Sequence, residues 1–117
     1  FQIRDDLLDI LGAEKKTGKP LGNDIRENKI TLPLIYALKQ ADKRDARRVI
    51  RMIKSKADKQ ELKEIVAFVE AQGGIKYASA KANEYGEKAL RTLDRYPETP
   101  YKTSLIELVN FVTTRDR

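Results

Sequence analysis

Three aspartates near the start of the chain, Asp5, Asp6 and Asp9 in the stretch FQIRDDLLD (Phe1–Asp9), are the residues best placed to do chemistry. On a helix turning about 100° per residue they share, with Gln2, an arc of about 100° lying opposite Ile3, Leu7, Ile10 and Leu11. Asp5 and Asp9 are one turn apart, with Cβ atoms about 6 Å from each other. Like charges at that spacing repel, and aspartate is a poor helix former. Such a pair can ligate a divalent cation directly or through its water, and Mg²⁺ commonly keeps several waters while bridging to a phosphate. The plainer alternative is an ordinary polar face, its acids favoured by the dipole of a first helical turn.

Composition narrows the chemistry further. The 117 residues hold no His and no Cys, so there is no imidazole base, no thiolate nucleophile, no disulfide and no zinc site of the usual kind. Any metal must be held by carboxylates, which favours hard ions such as Mg²⁺. Lys and Arg number 24 against 18 Asp and Glu, a net charge of +6, which points to an anionic partner without choosing among nucleic acid, a membrane surface and a phosphorylated metabolite. No apolar run of about 18 residues is present, so no transmembrane segment is expected, and no signal peptide is seen. The chain opens on Phe1, already inside an amphipathic pattern, and is expected to be a cut from a larger protein.

The elements that must position the aspartates are all helices. After the first, residues 12–29 hold three Gly, a Pro and many charges, and read as a long loop. A helix over 30–41 follows, with Pro33 in its first turn and Leu34, Ile35 and Leu38 on its buried side. Residues 42–54 form a short helix with Ala46, Val49, Ile50 and Ile53 on one face. Asp58 and Glu61 stand in capping-box register for the next, whose stripe is Leu62, Ile65, Val66 and Val69, and Gly73-Gly74 ends it. The longest helix is expected from Ile75 to Tyr96, lined by Ile75, Ala78, Ala82, Tyr85, Ala89 and Leu93; Gly86 inside it costs about 1 kcal/mol unless packing needs the space. Thr99 and Pro100 are placed as N-cap and N1 of a last helix that turns Leu105, Leu108, Val109 and Val112 inward. The fold class is all-α, a single unit over 1–117.

FQIRDDLLD resembles the second aspartate-rich motif of the trans-isoprenyl diphosphate synthases, and GKPLGNDIRENKITLPLIYAL (Gly18–Leu38) resembles that family's next stretch in order and spacing. The wording ITLPLIYAL is nearer to bacterial long-chain, octaprenyl-type synthases than to farnesyl diphosphate synthases. The resemblance implies the C-terminal helices of the isoprenoid synthase bundle and a Mg²⁺-dependent prenyltransferase that joins isopentenyl diphosphate to an allylic diphosphate. It makes Asp5 a direct metal ligand, with Asp6 and Asp9 contributing directly or through water. Asp24 orients metal-bound water, Lys19 contacts the diphosphate, and Lys29 is a second basic residue near the site. Phe1 and Gln2 line the pocket where isopentenyl diphosphate and the growing chain meet. A cytoplasmic homodimer is expected for the complete enzyme, and the 117 residues alone should be inactive, since they carry one aspartate-rich motif.

A rival comes from charge. Arg44, Arg47, Arg48 and Arg51 recur on one helical face opposite Ala46, Val49, Ile50 and Ile53, the pattern of a nucleic-acid-binding or membrane-surface helix as well as of a solvated one. No aromatic residue interleaves with it to stack bases, so no nucleic-acid partner is expected. A non-catalytic subunit keeping the fold is a further alternative, against which the intact DD-L-L-D stands.

Overall fold

The computed structural model describes residues 1–12 and 22–114, and among them it is helical throughout, with no strand. Seven helices follow in order: α1 Gln2–Leu11, α2 Asn23–Arg26, α3 Leu32–Gln40, α4 Lys43–Lys54, α5 Lys59–Ala71, α6 Gly74–Leu93 and α7 Pro100–Thr114. Lys19, Arg115 and Arg117 lie outside the described residues.

Local rules account for most boundaries. The Asp58 carboxylate accepts the Glu61 N–H at 2.8 Å and the Glu61 carboxylate accepts the Asp58 N–H at 3.3 Å, completing the expected capping box. Asp42 caps α4 through the Asp45 N–H. Thr99 Oγ1 accepts the Lys102 N–H at 3.2 Å, with Pro100 opening α7. Gly73, at φ 79°, makes the left-handed turn between α5 and α6. Gly74 begins α6 rather than ending α5, and α6 stops at Leu93, short of Tyr96.

The 20-residue α6 is the spine against which α1, α3, α5 and α7 all pack. Its contact stripe is Gly74, Ala78, Ala82 and Gly86, small residues that let neighbouring helices come close. A Cβ on Gly74 would collide with the Pro33 carbonyl of α3, and one on Gly86 would come within 2.7 Å of Thr113 Cγ2 on α7. The cost of glycine at 86 therefore secures a close crossing. Leu34, Val49, Ile65 and Val69 are fully buried in the core beside Ile25, each contributing about 1.5–3 kcal/mol.

Several expected inward residues face out. Ile35, Tyr85 and Ala89 are exposed, as are Leu11 at the last position of α1 and Leu105 and Leu108 on α7. The reason for α7 is that α6 is the helix it packs on, and α6 meets one side of it only. The chain measures 53 × 31 × 19 Å with a radius of gyration of 16.8 Å, against about 13 Å for a closed domain of this size. It is a flat layer of helices with an apolar outer surface at Phe1, Tyr101, Leu108 and Phe111.

Candidate functional site: an acidic edge beside an apolar groove

Leu7 and Ile10, both fully buried, anchor α1 and turn its acids toward the opposite side. Asp5 is exposed, and Asp6 and Asp9 are half-buried. Gln2 Nε2 donates to Asp6 Oδ1 at 2.9 Å. Burial pushes the Asp6 carboxyl above the usual range against the pull of that bond, and the charges of Asp24 and Asp5 push it the same way.

Asp9 does something the sequence did not announce. Residues 22–29, read as loop, contain α2, and Asp9 holds its N-terminus. The Asp24 N–H donates to Asp9 Oδ2 at 3.1 Å, and the Gly22 N–H donates to the Asp9 carbonyl at 3.1 Å. Gly22, at φ 70°, supplies the left-handed entry, while Ile25 fastens the short helix into the core. The Asp9 carboxyl is also raised, first by burial and then by the charges of Asp24 and Asp6, while the amides of Asp24 and Asn23 pull it down. A carboxylate has about four acceptor positions, so two amides leave capacity for a cation.

This arrangement delivers Asp24 to the acids of α1. Asn28, left-handed at φ 59°, then reverses the chain, and the Lys29 N–H donates to the Asp24 carbonyl at 2.8 Å. Lys29 pairs with Glu27 at 2.6 Å on an exposed surface. Its ammonium is held above the ordinary range first by that bond and charge, and further by Asp24 and Asp9. The structure thus brings Asp5, Asp6, Asp9, Asp24 and Lys29 to one edge; Lys19 falls outside the described residues. Sequence reasoning missed Glu27 as the partner of Lys29 and Gln2 as the partner of Asp6, although the Gln2–Asp6 spacing of four was legible.

The donor set is all carboxylate oxygen, the type that suits a hard divalent ion, and such an ion would ease the like-charge repulsion that adds to burial in raising Asp6 and Asp9. Among the described residues no group of three or more acidic side chains is placed to hold a metal ion.

Phe1 and Gln2 border a groove of about 410 Å³ between α1, α6 and α7, walled by Ala82, Gly86, Val109 and Val112. Its lining is the same small-residue stripe that the sequence showed as a packing feature. Gln2 therefore both donates to Asp6 on the acidic edge and lines the groove.

The family model described as Polyprenyl synthetase matches residues 1–69. The geranylfarnesyl diphosphate synthase of Aeropyrum pernix is 38% identical over 112 residues, 96% of this chain and 34% of that protein. The octaprenyl diphosphate synthase of Escherichia coli K12 is 32% identical over 117 residues, 100% of this chain and 36% of that protein. A crystal structure of polyprenyl synthase from Caulobacter crescentus CB15, complexed with calcium and isoprenyl diphosphate, superposes with a TM-score of 0.89 at 30% identity, covering 99% of this chain and 36% of that one. The chain spans about a third of the length of the curated relatives it matches.

Proposed function

The chain belongs to the polyprenyl synthetase family, and from that premise we propose that its acidic edge is one half of the diphosphate site of an enzyme that extends an allylic diphosphate with isopentenyl diphosphate. The observation that carries the proposal is the gathering of Asp5, Asp6, Asp9 and Asp24 on one edge with Lys29 beside them. The names of the relatives, all prenyl-chain synthases, support it.

In this reading Asp5 would hold the cation, Asp6 and Asp9 would contribute directly or through water, Asp24 would orient that water, and Lys29 would add a positive charge toward the diphosphate. Mg²⁺ held there would neutralise the charge that develops on the departing diphosphate. Calcium in the Caulobacter relative is another hard divalent ion. The allylic carbon–oxygen bond breaks, the double bond of isopentenyl diphosphate attacks the cation so formed, and a proton lost to the released diphosphate completes one extension. Aligned charge supplies most of the barrier reduction. No His, Cys or Ser nucleophile is needed. Phe1 and Gln2 border the place where the two substrates meet, with Lys19 a further diphosphate contact.

In the complete enzyme Asp5→Asn should lower turnover by a factor of about a hundred or more, the scale of losing one electrostatic element of a transition-state site. Arg48→Ala, on α4, should leave turnover within about twofold. Equal effects would sink the assignment. The 117 residues alone should show no turnover, and steady product formation by them would refute the half-site.

A further inference from the structure

The outer face of α4 is the strongest feature that this chemistry does not use. At about 100° per residue, Lys43, Arg44, Arg47, Arg48, Arg51 and Lys54 all fall within about 140°, centred opposite the buried Val49 and Ile53. All six are exposed. No acid shares that arc: Asp42 is spent on the cap, and Asp45 lies toward the buried side. Among the described residues Arg48 is the one of the six with an ion pair, to Glu64 at a loose 3.7 Å. At one border of the arc stands Ile50, an exposed apolar side chain.

We propose that this face docks the protein on an anionic phospholipid bilayer. Four arginines within about two helical turns present planar donors to lipid phosphates, which they bind in the bidentate manner that lysine does not. The exposed Ile50 at the border can enter the interface, as in a basic amphipathic helix lying on a membrane. Nucleic acid fits less well. Lys43–Lys54 contains no aromatic to stack a base and no Asn, Gln, Ser or Thr to read one. The proposal rests on the functional reading above for its purpose alone: an enzyme whose product is a prenyl hydrocarbon on a diphosphate head gains from delivering it at a bilayer. No helix among the described residues is long and apolar enough to cross a membrane, so attachment would be at the surface.

The test is co-sedimentation of the chain with phosphatidylcholine vesicles, with and without about one third phosphatidylglycerol, in the absence of any prenyl substrate. Binding is expected only to the anionic vesicles and should weaken at least tenfold on moving from about 0.05 to about 0.5 M salt. Arg44→Gln/Arg47→Gln/Arg48→Gln/Arg51→Gln should lower partitioning by roughly two to three orders of magnitude. Glutamine keeps helix propensity, and an unchanged circular dichroism spectrum confirms that the variant is folded. The matching quadruple Arg→Lys variant, which keeps the charge and loses the bidentate donors, should bind more weakly than the parent and more tightly than the glutamine variant; binding no better than the glutamine variant would count against a charge-driven face. Equal binding to neutral vesicles, no loss in the glutamine variant, or displacement by stoichiometric duplex DNA would each overturn the proposal. Turnover of the complete enzyme in detergent is read separately: it should survive the glutamine substitutions, and its loss through Asp5→Asn is independent of vesicle binding.

Discussion

Replacing Asp9 separates two roles that its carboxylate combines. Oδ2 accepts the Asp24 N–H at 3.1 Å and so caps α2; a cap of this kind contributes about 0.5–2 kcal/mol. Asparagine keeps the accepting oxygen and alanine does not. Asp9→Ala should therefore cost about 1 kcal/mol, a fall in melting temperature of roughly 3–5 °C for a chain of this size, while Asp9→Asn should cost a few tenths at most. Charge adds a pH signature. The Asp9 carboxyl is raised by burial and by Asp24 and Asp6, so its stabilising contribution is present below the unfolded pKa and is lost as pH rises through the folded value. Asp9→Asn carries no such loss, and without metal it should gain on the parent chain as pH rises above the ordinary carboxylate value of about 4. Magnesium reverses the comparison. At ten times its dissociation constant it should add about 1.4 kcal/mol to the parent chain and much less to Asp9→Asn. Thermal unfolding followed by circular dichroism reads all three effects. The reasoning fails if Asp9→Asn melts as early as Asp9→Ala, or if it keeps both the parent's pH slope and its full magnesium shift.

Other expectations follow from close contacts. Gly74→Ala should destabilise by about 1–3 kcal/mol despite alanine's helix propensity, because its Cβ would meet the Pro33 carbonyl and lie 2.9 Å from Val69 Cγ1; a higher melting temperature would contradict this. Gly86→Ala meets only the end of the Thr113 side chain, so adding Thr113→Ser should recover most of its loss, and a double mutant no better than the single would show that the crossing is set elsewhere. Lys102, buried at the start of α7, donates to the Tyr96 carbonyl at 3.0 Å and to Glu98 at 2.8 Å. Lys102→Ala should cost about 1–2 kcal/mol in denaturant unfolding, whereas Glu98→Ala, removing the exposed partner, should cost well under about 1 kcal/mol.

What the sequence disclosed were features whose cause lies within a turn or two of chain. The Asp58–Glu61 box, the Thr99–Pro100 start and the acidic face of α1 depend on spacings of three and four, and they stand as expected. Helix α2 was hidden because four residues carry no period, and because its cap comes from Asp9, fifteen residues from Asp24. Ile25 looked like a loop residue for the same reason and is a core residue. Leu105 and Leu108 show the opposite failure. Periodicity finds an apolar stripe but not whether anything lies against it, and on α7 those two side chains are exposed.

The acidic edge depends on both kinds of cause at once. Packing of Leu7 and Ile10 fixes which way α1 turns its aspartates, but packing alone would leave like charges crowded together. The carboxyls of Asp6 and Asp9 are raised first by burial and further by that crowding. Lys29 reaches the edge from the far side of α2 and is already paired with Glu27. A fold that brings Asp24 toward Asp6 and Asp9, by way of a helix capped on Asp9 itself, increases the repulsion rather than dispersing it. Local consistency fails here while it holds along the rest of α1, and such failures belong to functional sites more often than to stabilising ones. On the function proposed above, a cation arriving with the ligand would offset that repulsion, and the cap on α2 would hold Asp24 near Asp9 beforehand.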